Sequence, residues 1–298
     1  MTLNNKVLVI SGASRGIGLA IALRAAKDGG CIAVLAKTDK PNPKLPGTIY
    51  TAAQEIERAG GKALPLKCDI RDEEAVKNAI QKVVDTFGGI DIVVNNASAL
   101  SLANTQETTF KKYTLMHEIN SRGTWLVTKY AIPYLIESGR KNRNPHILNI
   151  SPPLDFQKDW FSNHVAYSIA KYNMSLLILG WEGELKEYGI AANALWPLTI
   201  ISTAALQVLG QYTDTKSRTP EIMADAAHLI LNKNSKEFSG NFLIDEAILR
   251  ENGQTKFDHY SVIPGNIDLQ EDLFVDKKLC DKMRVLWKEG SHKKDSKL

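Results

Sequence analysis

One pattern constrains this chain more than any other. Short apolar, β-rich runs alternate with helix-length amphipathic stretches from residue 6 to residue 245. The runs lie at 6–10, 31–36, 63–68, 91–94, 146–150, 191–196 and 240–245, and they read as strands buried on both faces. Helical patterns fill 19–27, 51–59, 72–87, 107–136, 165–188 and 220–231, with Gly29-Gly30 and Gly60-Gly61 as stops. A buried strand that leads into a helix and then another buried strand builds a parallel sheet, right-handed at each crossover. The pattern therefore predicts an α/β fold, a Rossmann-type doubly wound sheet of about seven parallel strands with helices on both faces. No linker-like composition interrupts it before about residue 270. Residues 1–270 read as a single nucleotide-binding and catalytic domain. Residues 271–298 read as a charged C-terminal extension with one helix near 276–288.

The first strand-to-helix turn carries chemistry. Gly12, Ala13, Ser14, Arg15, Gly16, Ile17 and Gly18 connect them. Glycines there let the backbone turn tightly and approach a ligand, and the helix N-terminus offers free N–H groups to a phosphate. In this context the turn reads as a dinucleotide site. The second strand ends at Lys37, where an acidic residue would bind the ribose 2′-OH of NAD. Lys37 and Arg15 suit a 2′-phosphate instead, so NADP(H) is favoured. Asp39, two positions on, keeps NAD(H) open. Asp69, at the end of the third strand, reads either as an acceptor for the adenine amine or as a turn aspartate. The stiff 38–48 loop, with Pro41, Pro43, Pro46 and Gly47, borders the adenosine end or is plain surface. Asn95 and Asn96 end the fourth strand, where side-chain amides tie strands together and the loop then runs along the cofactor.

Tyr167 and Lys171 stand one helical turn apart on the same face. A free tyrosine has a pKa of about 10, and a neighbouring ammonium favours its phenolate, so the pair is a candidate acid/base device. The same spacing is common on ordinary helices, and its meaning depends on context. Ser151 ends the fifth strand. Asn120, between Met116, Ile119 and Trp125, is either a functional amide or a satisfied core asparagine. Phe156, Trp160 and Phe161 sit on the loop before Tyr167 and read as an apolar substrate wall or as a cover for the core edge. Thr199 follows Pro197-Leu198, and 200–212 reads as a mobile flap with a short helix.

Composition excludes other classes. Three widely spaced cysteines (Cys31, Cys68, Cys280) argue for reduced thiols and against a disulfide frame or zinc site. Six scattered histidines form no ligand spacing, so no metal is expected. No apolar run is long enough to cross a bilayer, and the N-terminus runs straight into a strand with no signal-peptide layout. A net charge of +4, part of it in the lysine-rich tail, suits a solvated tail and not a nucleic-acid surface. The chain ends in Ser296-Lys297-Leu298, a tripeptide read by the peroxisomal import receptor at a free C-terminus. The peroxisome is the expected location, with the cytoplasm as the alternative.

Gly12, Gly16, Gly18, Asp69, Asn95-Asn96-Ala97, Asn120, Ser151, Tyr167 and Lys171, in this order on these elements, resemble the short-chain dehydrogenase/reductase superfamily over residues 5–247. Gly47 to Ala53, Asn149 to Pro153 and Asn193 to Pro197 resemble its hydroxysteroid dehydrogenase-like group. Vertebrate members of that group carry a C-terminal sterol-carrier-like domain. This chain ends before one could fit, so no lipid-carrier role is implied.

The resemblance implies hydride transfer between NADP(H) and a carbonyl or secondary alcohol of an apolar, lipid-derived substrate. Tyr167 would exchange the proton, Lys171 would hold the nicotinamide ribose, Ser151 would orient the substrate oxygen, and Asn120 would hold a water linked to Lys171. Asn96, Thr199 and the glycine-turn residues would bind the cofactor. Relatives associate through helices at 107–136 and 165–188, which implies a homo-oligomer. Ser98 and Leu198 replace customary glycines, and Ser151 lies sixteen residues before Tyr167, more than is usual. A non-catalytic nucleotide-binding scaffold and a peroxisomal enoyl- or dienoyl-CoA reductase are the other readings.

Overall fold

The computed structural model describes residues 2–42, 45–204, 206 and 214–295. Seven strands form one sheet: β1 (Val7–Ser11), β2 (Cys31–Ala36), β3 (Lys62–Lys67), β4 (Ile92–Asn95), β5 (His146–Ile150), β6 (Ala191–Trp196) and β7 (Phe242–Ile244). Their order is β3-β2-β1-β4-β5-β6-β7, and every pairing is parallel. The order turns around between β1 and β4, and the crevice at the strand ends there is where such sheets hold ligands.

Strand alternation explains the two-sided core. Leu8 and Ile10 of β1 join one apolar layer with Ile21, Ile56, Ile222 and Ile248. Val7 and Val9 join the other, with Ile80, Val127, Ile178 and Trp181. The first layer takes α1 (Gly16–Ala26), α2 (Ile49–Arg58), α7 (Glu221–Leu231) and α8 (Asp245–Glu251). The second takes α3 (Glu73–Phe87), α5 (Thr124–Arg140) and α6 (Val165–Leu185). Helix starts follow local chemistry. Thr48 and Thr51 form a reciprocal capping box on α2, and the Asp72 carboxylate accepts from Ala75 N at 3.0 Å on α3.

Three stretches differ from the periodic reading. The expected 107–136 helix is broken. It begins as α4 (Phe110–Met116), passes through a π-helical turn (His117–Gly123), and resumes as α5 to Arg140. The extra residue per turn swings Asn120 inward, a use of π-turns that recurs at functional sites. Asp245 opens α8 and does not end β7. Residues 271–287 of the expected extension are packed against the sheet. Phe274, Val275, Met283 and Trp287 are buried in a third apolar cluster with Tyr167, Trp196 and Leu198, and α9 (Lys277–Asp295) carries the last two of the four. No helix among the described residues is long and apolar enough to cross a membrane.

Candidate active site

A cavity of about 610 Å³ lies over the strand ends at the β1/β4 turnaround. Gly12, Ser14, Arg15, Gly16 and Ile17 line it beside Lys37, Asp69 and Asn96, and Tyr167 and Lys171 line it too. The glycine turn is shaped by contact. Gly12 has φ +68°, and a Cβ there would sit 2.9 Å from Ala97 Cα. A Cβ on Gly18 would sit 2.5 Å from Asn96 Nδ2. That amide donates to the carbonyls of Ser11 and Gly12, at 3.1 Å each, and so ties the end of β4 to the turn. Gly18 and the fully buried Ala13 form the packed underside of the turn and not its lining.

At the adenosine end the charges are partly spoken for. Arg15 donates to the carbonyls of Pro46 (3.0 Å) and Gly47 (2.8 Å), which lays the far end of the 38–48 loop on the glycine turn. Pro43 of that loop lies outside the described residues. Asp69 accepts from Arg71 through both carboxylate oxygens, at 2.6–3.1 Å, with Lys37 Nζ 3.9 Å away. The Arg71 hydrogen bonds hold its carboxyl below the ordinary range against partial burial. Asp39 pairs with Lys67 at 2.8 Å.

At the other end, α6 brings Tyr167 and Lys171 to the cavity wall. Lys171 is buried and donates to the Ile150 carbonyl at 2.7 Å. Its Nζ lies 4.9 Å from the centre of the Trp196 ring. Burial pushes the ammonium down to about 7, opposed by the charge of Asp272. Ser151 follows the lining residue Ile150, and its Oγ is fully enclosed with no hydrogen-bond partner. Thr199 Oγ1 is enclosed and unpartnered in the same way. Asn120 is buried with both ends of its amide on Ala99: Nδ2 donates to the carbonyl (3.0 Å) and Oδ1 accepts from the N–H (2.8 Å). Asn95 Nδ2 bridges Thr128 Oγ1 and Asn149 Oδ1 (2.9 and 2.8 Å), which ties β4 to β5 and α5. Asn120, Ser151 and Thr199 thus lie behind the cavity wall, while Tyr167 and Lys171 form it.

The apolar wall is not where the aromatic loop suggests. Trp160 and Phe161 point into a cluster around Phe274 and Tyr172, with ring centroids 5.9 Å (Trp160–Phe274) and 5.0 Å (Phe161–Tyr172) apart. The apolar lining of the cavity includes Leu100, Leu102, Ile119, Ile200, Ile201 and Leu273. Physically, the indole N–H of Trp160 is satisfied by Asp155 Oδ2 at 2.9 Å, which turns that loop inward.

Sequence reasoning missed the strap at 270–273. Ile200 N donates to Gln270 O and Asp272 N to Leu198 O, both at 3.0 Å, with Thr199 opposite Glu271 in an antiparallel bridge. Trp196 Nε1 donates to Leu273 O at 2.7 Å. The apolar triplet Leu273-Phe274-Val275, isolated in a polar stretch, is the signal that marks a packed segment there. Part of the expected 200–212 flap, at 205 and 207–213, lies outside the described residues. Among the described residues no group of three or more His, Cys, Asp or Glu could hold a metal ion.

Comparison with known proteins agrees with this geometry. The short chain dehydrogenase family profile matches residues 6–212. Hydroxysteroid dehydrogenase-like protein 2 of Xenopus tropicalis is 57% identical over 271 residues, 91% of this chain and 63% of that protein. Its Homo sapiens counterpart is 54% identical over 269 residues, 90% of this chain and 63% of that protein. The chain thus spans about 63% of the length of these curated relatives. A putative dehydrogenase from Xanthomonas campestris superposes with a TM-score of 0.89 at 47% identity, covering 93% of this chain and 100% of that one. A short-chain dehydrogenase from Mycobacterium thermoresistibile gives 0.86 at 49%, covering 92% and 96%.

Proposed function

The chain belongs to the short-chain dehydrogenase family, and from that membership we propose that it is an oxidoreductase moving hydride between NADP(H) and a carbonyl or secondary alcohol of an apolar, lipid-derived substrate. The observation that carries the reading is the convergence of Tyr167 and Lys171 on the cavity that begins at the glycine turn. The residues fit a dinucleotide: Gly12, Ser14, Arg15, Gly16 and Ile17 of the turn line the cavity, with left-handed backbone at Gly12 (φ +68°) and Gly16 (φ +58°). The nicotinamide supplies the hydride.

The chain's own groups do the rest. Tyr167 holds the proton exchanged with the substrate oxygen. Lys171, desolvated and held by Ile150, sets a positive charge one helical turn away. Ser151, enclosed behind the lining residue Ile150, is assigned to the same substrate oxygen by the family resemblance alone. Asn120 steadies the loop after β4 through Ala99. Lys37 and Arg15 support the 2′-phosphate, with Asp69 and the loop carbonyls balancing part of their charge. The apolar side chains of the lining support a lipophilic substrate.

Two measurements test the reading. In fluorescence titration NADPH binds more tightly than NADH, and tighter NADH binding would overturn the Lys37/Arg15 argument. Across a ketone and acyl-CoA panel, Tyr167→Phe lowers turnover by roughly 10²–10⁴-fold. Unchanged turnover leaves a nucleotide-binding scaffold, and saturated-bond products from enoyl substrates point to C=C reduction. The peroxisomal address at Ser296-Lys297-Leu298, outside the described residues, joins the proposal. A reporter fused to residues 290–298 that stays cytosolic removes it.

A further inference from the structure

The strap at 270–273 does more than cover an edge. Its ladder on Leu198–Ile200 and the Trp196–Leu273 hydrogen bond fix Asp272 on the wall of the cavity that Lys171 also lines. The indole that holds the strap is the one beside the Lys171 ammonium. Lys171 itself is buried, and its close partners are a neutral carbonyl, the Met174 thioether at 3.5 Å and that indole face. A buried ammonium with only neutral partners costs several kcal/mol and calls for a countercharge.

Leu198 also meets a second carboxyl, Asp245, which unlike the half-buried Asp272 is fully buried. Asp245 Oδ1 accepts from Leu198 N (2.9 Å) and Glu246 N (2.6 Å), while its Oδ2 is enclosed without a partner. Leu198 is therefore held from both sides, its N–H by Asp245 and its carbonyl by Asp272 N. The charged and titratable groups around this assembly include Lys171 and Tyr167 on α6, Asp245 and Glu246 on α8, Arg218 and Arg250, both paired with Glu246, and Glu271 of the strap, paired with Arg284.

We propose that Asp272 is a positioning residue for Lys171, a countercharge held on the cavity wall by the strap, and that Asp245 tunes it by like-charge repulsion. Burial pushes the Asp272 and Asp245 carboxyls each up to about 7; the charge of Asp245 raises Asp272 further, while at Asp245 the charge of Arg218 opposes burial and that of Glu246 adds to it. Lys171 draws Asp272 down, and Asp272 draws Lys171 up. Asp272 and Lys171 thus share protonation as a pair, with Asp245 acting on Asp272 alone.

The inference rests on the oxidoreductase reading for its catalytic meaning, and its test separates the two. Asp272→Asn and Asp245→Asn both keep the Oδ1 acceptor, so the hydrogen bonds to Leu273, Leu198 and Glu246 survive. Removing the Asp272 charge lets Lys171 deprotonate at lower pH, so the alkaline limb of kcat/KM moves down by roughly one unit. Removing the Asp245 charge lets Asp272 ionise more readily, so the limb moves up. A structural role predicts no opposition of sign. Limbs that stay put, or move the same way, overturn the proposal. The same series read in cofactor affinity by fluorescence titration needs no turnover. If the wild-type chain binds cofactor without turning over the panel, the oxidoreductase reading falls, and the binding limb decides Asp272 alone: opposite shifts keep it, coincident or absent shifts end it.

Discussion

Phe274→Ala is the perturbation that most directly tests how the C-terminal segment is held. Phe274 has no exposed surface and sits among Tyr172 (5.5 Å), Trp196 (5.8 Å), Trp160 (5.9 Å), His164 (6.0 Å) and Tyr167 (6.2 Å). A ring this enclosed costs about 3–5 kcal/mol on truncation to alanine. Its backbone is left-handed at φ +66°, and alanine keeps that strain, so nothing is recovered there. The loss falls on a strap otherwise held by a few hydrogen bonds of roughly 1 kcal/mol each. A loss of about 4 kcal/mol raises the open fraction of the strap by roughly 10³-fold, at about 1.4 kcal/mol per decade. Hydrogen exchange is the assay. Protection of amides in 268–275 falls by that factor, while β1 and β4 keep theirs, and turnover drops with the strap. Unchanged protection at 268–275, with a urea midpoint equal to wild type, would refute the packing argument. Phe274→Gly removes the same ring but relaxes the backbone, so it is expected to be no worse than alanine by more than about 1 kcal/mol.

Three further outcomes follow from other sites. Gly18→Ala drives a methyl group against Asn96 Nδ2 (2.5 Å) and Gly12 O (2.7 Å), so it costs about 1–3 kcal/mol in urea unfolding and weakens cofactor binding. Ser151→Ala removes an enclosed hydroxyl without a partner, so the variant is as stable as wild type or about 1 kcal/mol more stable, yet it turns over more slowly. Burial pushes His146 down to about 4, from an ordinary value near 6.5, so its contribution is complete above pH 6.5 and is lost as pH falls toward 4. Wild type therefore loses about 2 kcal/mol at this site between pH 7 and pH 5, and His146→Gln loses none of it; equal urea-midpoint slopes for the two would sink the argument.

What was legible in the sequence is what local periodicity encodes. Seven buried runs predicted a parallel sheet, and the alternation of Leu8 and Ile10 against Val7 and Val9 explains why both faces had to be covered. The Tyr167–Lys171 pair was legible because helical spacing alone puts two side chains on one face. Asn120 was harder, since the π-turn that aims it changes the helical period for only seven residues. Trp160 and Phe161 misled because loop aromatics declare that they will be buried without declaring against what. The partner of Trp160, Phe274, is remote in sequence and on a segment with no period of its own.

Leu198 shows why that remoteness matters. At a position where glycine is customary, a leucine side chain needs a buried place and the loop needs an anchor. Both come from beyond the periodic region. The side chain enters the Phe274 cluster, the N–H is taken by Asp245 at the start of α8, and the carbonyl is taken by Asp272 N on the strap. The departure at 198 and the charged-looking tail are thus one feature, a layer added over the Tyr167–Lys171 end of the cavity. The same contacts that bury Leu198 also set the Asp272 carboxyl on the cavity wall that Lys171 lines, with Asp245 bound to Leu198 N. A glycine at 198 would leave the strap without one of its apolar partners and the loop with more freedom, so the buried charges would lose the frame that holds them in register. Packing and electrostatics here are set by the same three residues: Leu198, Asp245 and Asp272.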